Sequence, residues 1–383
     1  MPRAAPQAKL TAMSERRRAR AAVQYGYGER LVVETVDIDP PAPGEVRVKM
    51  AATGVCHSDL HALSGVHRYP LPCVLGHEGA GVVDEVGDGV THVLPGDHVV
   101  LSWLPYCGEC RMCATGRPAL CENVAWAEAG TMADGTVRIS REGVPIHHFT
   151  GQSFFSEFAV VPAQTAIPVD KSLSLVELSI LGCAVMTGFG AVVNTAQLRA
   201  GQTVTVVGCG GVGLNVVQSA ALAGARSIIA VDTVVGALDL ARDMGATHTV
   251  HAINGVDVVA AIADVTGGGT DHVFEAVGSP RTIELAVQLT ARGGQTTLIG
   301  MAPEGAIAHF DPLTLLMDER KIVGSWYGSI RPTVDFPVLL DLYEQGKLRI
   351  SPLIRRITLD EINDAFELLE AGGSARSVVV FES

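Results

Sequence analysis

The first third of the chain alternates apolar and polar positions in short runs separated by turn residues. Leu31-Val-Val-Glu-Thr-Val-Asp-Ile38 alternates until Pro40-Pro-Ala-Pro-Gly44 breaks it, and Glu45–Met50 alternates again with Val46, Val48 and Met50 apolar. Ala80–Gly87 and Pro95–Leu101 repeat the pattern of strand and turn. Period two bounded by Pro and Gly predicts strands, so this part is expected to be mainly β. Residues 175–195 predict a helix with Leu178, Leu181 and Val185 on one side. From Gln202 the rhythm changes. The apolar strands 203–207, 227–231, 245–250, 270–275, 294–299 and 321–325 alternate with helical stretches at 214–223, 237–244, 256–265 and 281–289. That alternation predicts a doubly wound parallel sheet. Helices at 336–345 and 360–370 and a strand at 377–381 are expected to return to the first part.

Composition agrees with this picture. The 383 residues are enough for two domains, and the 48% hydrophobic, 18% charged, 42-glycine profile suits an α/β protein. A net charge of -13 argues against nucleic acid or an anionic membrane as partner. No apolar run reaches the roughly 18 residues that span a bilayer. The first 20 residues carry Arg3, Lys9, Arg16, Arg17, Arg18 and Arg20 against Glu15 alone. A transit peptide or nucleic-acid arm would be basic too; a disordered extension over 1–20, or a start at Met13, is the expectation.

The candidate chemistry begins at Gly54-Val-Cys-His-Ser-Asp-Leu-His61, where Cys56, His57, Ser58, Asp59 and His61 fall within six residues. A metal that polarises an alcohol needs a thiolate to hold it and a hydroxyl–imidazole chain to carry off a proton. Gly76-His77-Glu78-Gly79 adds an imidazole and a carboxylate, and Cys183 is the natural third ligand beside Cys56 and His77, although a lone buried Cys is commonly a small hydrophobe. Cys107, Cys110, Cys113 and Cys121 stand at C-x2-C-x2-C-x7-C. Four sulfurs close a tetrahedron and leave no open position, so a zinc there is structural; an iron–sulfur cluster has the same spacing. His147 and His148 read as ordinary loop residues. Eight cysteines in a chain of this kind read as metal ligands or buried thiols in a reducing, cytoplasmic setting.

Gly208-Cys-Gly210-Gly211-Val212-Gly213 follows one strand and opens a helix, the context a dinucleotide pyrophosphate requires. Asp232 ends the next strand, nineteen residues after Gly213, where a carboxylate meets an adenosine ribose. A carboxylate repels a 2′-phosphate, so NAD is expected over NADP.

Taken together, these motifs resemble the zinc-dependent medium-chain alcohol dehydrogenases over about residues 22–383. Within them the chain is most similar to the class III, glutathione-dependent formaldehyde dehydrogenases, at Leu75-Gly-His-Glu-Gly-Ala-Gly81, Asp134-Gly-Thr-Val-Arg138, Phe155-Ser-Glu-Phe158 and Asp360–Leu369. Ser325-Trp-Tyr-Gly328 and Asp335–Tyr343 are similar to the mycothiol-dependent type. The resemblance implies a GroES-like, mainly-β catalytic domain at 21–184 and 328–383 and a Rossmann domain at 185–327. It implies two zinc ions and NAD. Cys56, His77 and Cys183 would hold the catalytic zinc, with Glu78 behind it and Asp59 orienting His77. Ser58 would take the alcohol proton and relay it to His61. His57 and Arg376 would touch the pyrophosphate, Thr187 and Val212 the nicotinamide, and Trp103, Phe149 and Met301 the substrate. A homodimer is implied, with a homotetramer as the alternative.

Two departures bear on the substrate. Ala125 stands where the class III enzymes place an arginine for an anionic thiol adduct, and the segment after Ser64-Gly65 is cut to Val66–Pro70. The basic residue expected after the ribose acid is also absent from Thr233-Val-Val-Gly-Ala237. The leading expectation is an NAD-dependent dehydrogenase of primary or aromatic alcohols and their aldehydes. The alternatives are a thiol-adduct (glutathione or mycothiol) formaldehyde dehydrogenase, a dehydrogenase with permanently bound NAD that uses an external acceptor, and a non-catalytic NAD-binding scaffold.

Overall fold

The computed structural model describes residues 15–373 and 375–382. Three sheets carry the chain. Arg17–Gln24, Val32–Ile38, Ile139–Arg141, Val144–His148 and Cys73–Val74 close a small barrel. A seven-stranded sheet runs in the order Ala166–Val169, His98–Leu101, Glu78–Val86, Glu45–Gly54, Arg376–Val380, Ile354–Ile357, with Phe158–Pro162 also pairing onto Glu45–Gly54. The C-terminal strand joins it antiparallel, Val378 opposite Gly54.

Two expectations change here. The basic extension ends before residue 17: Arg17–Gln24 is a strand paired with Val32–Ile38, and Ala19 is buried. The arginines that hid this strand are exposed but paired: Arg16, Arg17 and Arg20 meet Asp39, Asp84 and Asp360. Residues 1–14 of that expectation lie outside the described residues. His147 and His148 are not loop either. They end the strand Val144–His148, and buried His148 accepts from the Arg138 N–H through Nε2 at 3.0 Å, so its ring closes the barrel rather than facing a metal.

The third sheet is parallel, in the order His248–His251, Ser227–Asp232, Thr203–Val207, Thr270–Glu275, Thr290–Leu298, Lys321–Gly324. Every residue of Thr203–Val207 is buried, as a central strand covered on both faces must be. The order reverses next to this strand, and ligands of such sheets bind at the carboxyl ends beside that point. The helix after it starts at Gly211, three residues earlier than the periodicity predicts, so the glycine loop supplies the helix's first turn.

Between the two halves, residues 175–195 are helical but irregular. α-Helix at Leu175–Leu178 and Met186–Gly190 is separated and followed by π-turns at Leu181–Val185 and Ala191–Thr195. The segment packs closely on the sheet, since a Cβ on Gly182 would lie 1.9 Å from the Leu101 carbonyl oxygen. A π-turn widens the helix locally and re-aims its side chains, here including Cys183.

Candidate active site

The strand Glu45–Gly54 delivers Cys56 to the N-cap of the short helix His57–Ser64. Asp59, in that helix's first turn, is fully buried and spends its carboxylate on three neighbours. Oδ2 accepts from the Cys56 N–H at 2.9 Å, and Oδ1 accepts from the Gly76 N–H at 3.1 Å and pairs with His77 Nδ1 at 3.0 Å. With Nδ1 committed, Nε2 of His77 faces the other way, 3.3 Å from Cys183 Sγ. One carboxylate therefore sets the loop, the ring and its usable nitrogen.

Ligand atoms from Cys56, His77, Glu78 and Cys183 all lie within 4.8 Å of one another, and all four residues are buried. A hydrogen bond with Cys183 draws the Cys56 thiol well below its ordinary value against the effect of burial, while the same bond and burial push Cys183 up. Both oxygens of Glu78 are buried without a hydrogen-bond partner among the described residues, and burial raises its carboxyl to about 7. Arg376 Nε lies 3.2 Å from Glu78 Oε2, close enough for charge attraction but not aligned as a hydrogen bond. Two thiols, an imidazole with a fixed tautomer and an unsatisfied carboxylate in a dry site are what a zinc ion neutralises.

The second group is built differently. Cys107, Cys110, Cys113 and Cys121 also converge within 4.8 Å, but at the surface and from one loop. Backbone N–H groups already point at the sulfurs: Cys110 to Cys107 at 3.2 Å, Cys107 to Cys121 at 3.2 Å, and Glu122 to Cys110 at 3.4 Å. The Glu122 N–H, together with the Cys113 N–H at 3.5 Å, pulls the Cys110 thiol down to about 6. All four positions are sulfur, which suits a closed structural site.

At the coenzyme end, Gly210 caps the helix Gly211–Leu222, and a Cβ on Gly213 would lie 1.8 Å from the Gly208 carbonyl oxygen. Only glycine lets helix and strand approach this closely. A Cβ added at Gly210 meets nothing within 4 Å, which leaves room above the helix N-terminus for an anionic group. Asp232 accepts from the Cys209 N–H at 2.6 Å and the Val234 N–H at 2.8 Å, which holds its carboxylate at the strand end beside that loop. Arg376 spans the two halves. It donates to the Val55 carbonyl oxygen at 2.9 Å, and its guanidinium lies where a Cβ on Gly211 would be.

Comparison with known proteins agrees with both halves. Residues 42–171 match the alcohol dehydrogenase GroES-like domain and residues 211–345 the zinc-binding dehydrogenase domain. The S-(hydroxymethyl)glutathione dehydrogenase of Paracoccus denitrificans is 41% identical over 375 residues, covering 95% of this chain and all of that protein. The chain belongs to the zinc-binding dehydrogenase family. The class-3 alcohol dehydrogenase of Cereibacter sphaeroides is likewise 41% identical, over 95% of this chain and all of its own. Among solved structures, the benzyl alcohol dehydrogenase of Acinetobacter calcoaceticus superposes with a TM-score of 0.91 at 34% identity, covering 96% of this chain and all of that one. A dehydrogenase of this family is an oxidoreductase that uses zinc and a nicotinamide dinucleotide. Its fold is the GroES-like and Rossmann pair.

In this zinc-binding dehydrogenase Ser58, Met301, Trp103 and Phe149 lie beside the same centre. Ser58 Oγ lies 3.9 Å from Cys56 Sγ and 3.8 Å from Met301 Sδ. The rings of Trp103 and Phe149 stand edge-on to His77 at 6.1 and 5.6 Å. Thr187 sits in the helical segment packed on the coenzyme helix, which carries Val212. His57 is exposed, and so is Ala125, which opens a four-residue helix. Among the described residues no hydrogen bond joins Ser58 to His61, whose Nδ1 is buried without a partner. Sequence reasoning missed three neighbours. The His67 ring lies 5.6 Å from that of His61. Trp326 stacks edge-on against Trp103 at 5.5 Å, and the Tyr327 hydroxyl pairs with Ser102 Oγ at 3.1 Å and with the Gly182 carbonyl. His67 carries no spacing signal; Trp326 and Tyr327 lie in the motif Ser325-Trp-Tyr-Gly328, but only tertiary packing brings them to the site.

Proposed function

We propose that this dehydrogenase interconverts primary alcohols, aromatic ones included, and their aldehydes with NAD. The observation that carries the reading is the buried Cys56–His77–Cys183 set with Asp59 behind it and Ser58 in front. Zinc held by these three residues supplies the Lewis acidity that makes an alcohol hydroxyl acidic, and NAD supplies the hydride acceptor. Ser58 Oγ takes the hydroxyl proton, and His61 passes it towards solvent. Asp59 keeps His77 in one tautomer and one orientation. Glu78 stands behind the metal set and holds Arg376 by charge. Trp103, Phe149 and Met301 exclude water and present the substrate carbon, while Thr187 and Val212 press the nicotinamide against it. Gly208, Gly210, Gly211 and Gly213 with His57 and Arg376 hold the pyrophosphate, and Asp232 the ribose. Cys107, Cys110, Cys113 and Cys121 hold the second, structural zinc.

The apolar aromatics around His77 and the similarity to a benzyl alcohol dehydrogenase support the alcohol reading. The name of the Paracoccus denitrificans relative favours a second reading, oxidation of a hydroxymethyl–thiol adduct. NAD reduction by zinc-loaded protein separates them, using linear and aromatic alcohols and formaldehyde with and without glutathione or mycothiol. Turnover of simple alcohols without thiol is expected; activity only with thiol overturns the first reading in favour of the second. The reading also includes a homodimer in the cytoplasm. In support of the dimer, Lys321–Gly324 is an edge strand beside apolar residues that stand in water, Leu316 and Met317 each 74% exposed. A second copy would cover both features.

A further inference from the structure

The chain leaves the edge strand Lys321–Gly324 and soon passes through three successive residues in the left-handed region: Tyr327 at φ 50°, Gly328 at φ 65° and Ser329 at φ 52°. Glycine adopts that region freely, but a bulky side chain does so only where its surroundings hold it there. What Tyr327 touches is therefore informative about its role.

The residue is buried, and its ring packs 4.9 Å from that of Trp103. Its hydroxyl reaches the carbonyl of Gly182, the residue before Cys183 in the π-turn Leu181–Val185. A carbonyl can only accept, so the phenol donates there, and Ser102 Oγ at 3.1 Å donates to the phenol oxygen. The result is a buried chain of hydroxyls from Ser102 through Tyr327 to Gly182, in which each bond polarises the next. The Gly182 carbonyl shares a rigid peptide plane with the Cys183 N–H, so holding that oxygen restricts how Cys183 is presented. Ser102 likewise precedes Trp103. One side chain from the coenzyme half thus holds the backbone beside a metal-set thiol and beside a ring that stands on His77. The same segment has a second fastening. Thr195 Oγ1 lies 2.8 Å from Ser325 Oγ and 2.9 Å from Ser329 Oγ, and a Cβ on Gly190 would lie 2.2 Å from the Gly328 carbonyl oxygen.

We propose that Tyr327 is a positioning residue for the metal set: its hydroxyl, through Gly182, fixes the direction in which Cys183 offers its thiol to the space shared with Cys56 and His77, and, with Ser102, seats Trp103 against the same centre. This rests on the dehydrogenase reading above and deepens it. The hydroxyl touches neither substrate nor coenzyme, so it acts through the geometry of the thiol and affects kcat more than the KM for NAD.

The test is Tyr327→Phe, which keeps the ring and its packing and removes the hydroxyl. Zinc affinity at the Cys56–His77–Cys183 set, measured by competition with a chromophoric chelator, should fall about tenfold, while the Cys107–Cys121 group keeps its zinc. Cobalt(II) loaded in place of the first zinc should show shifted ligand-field bands, because these report the arrangement of the donors. The kcat for alcohol oxidation should fall about fivefold, with the KM for NAD changed less than about twofold. Thr195→Val loosens the same segment through its other fastening. It should lower the melting temperature yet leave zinc affinity and the cobalt spectrum at their wild-type values. Wild-type affinity and spectrum in Tyr327→Phe overturn the proposal. So does an equal change in Thr195→Val, since general loosening would then account for both. Should Tyr327→Phe fold too poorly to load, Ser102→Ala takes its place. Losing the first bond of the polarised chain should weaken zinc binding about threefold, and an unchanged affinity overturns the proposal. Absence of turnover with every alcohol in the wild type would defeat the parent reading alone, because the zinc and cobalt measurements need no turnover.

Discussion

The two cysteine groups of this dehydrogenase have similar donors and opposite construction. Cys107 and Cys121 are 14 residues apart, and the loop between them aims its own N–H groups at the sulfurs. His77 and Cys183 are 106 residues apart and meet only because a sheet, a capped helix and a π-turn converge. Closing the longer loop costs about 2 kcal/mol more chain entropy, and the folded core must supply it. The local group can therefore organise with little help and serves as a clamp. The assembled group carries what a clamp lacks: a buried carboxylate behind the imidazole, an unsatisfied glutamate, and a hydroxyl in front.

The largest effect should come from breaking the assembled group. Cys56→Ser or Cys183→Ser should lower kcat by about three orders of magnitude or more, since several kcal/mol of charge stabilisation is lost. Zinc content should fall from two ions to one per chain by elemental analysis. Retention of both zinc and turnover in Cys56→Ser would remove that group from catalysis. Next, Asp59→Asn should cost about 10- to 100-fold in zinc affinity or activity, because the His77 ring loses its anchor; competition with a chromophoric chelator measures it. The reverse experiment breaks the clamp. Cys110→Ser should leave one zinc in the chain and lower the melting temperature by about 2–4 °C per kcal/mol lost, while part of the activity survives at low temperature. In rising urea, zinc should leave in two steps, the assembled site first; a single step would end the distinction drawn here. The smallest effect should come from Asn123→Ala. It removes the Nδ2 contact to Cys107 Sγ at 3.5 Å and should change zinc retention at the clamp by less than about fivefold.

Much of the architecture was legible because it rests on local chemistry. Period-two runs announced the β half. The glycine loop after a buried strand announced the coenzyme half, and the four-cysteine spacing announced the clamp. The misses have physical causes. The strand Arg17–Gln24 was hidden because Arg17 and Arg20 find their acids at Asp84 and Asp360, far along the chain. The strand holding His147 and His148 was hidden because only closure of the barrel buries His148. The helix of the glycine loop began three residues early because glycine has no periodicity to read.

By itself the sequence determined which donors exist, their local spacing, and the two folding rhythms, since hydrogen-bonded loops and amphipathic periods depend on near neighbours. Its motifs also named Cys56, Asp59, His77, Glu78 and Cys183, which the structure gathers at one centre. Only the tertiary structure decided that Asp59 commits one face of His77 and that, among the described residues, Glu78 is left without a hydrogen-bond partner beside Arg376. Those facts depend on which surfaces exclude water from which charges, and that is settled when distant segments pack.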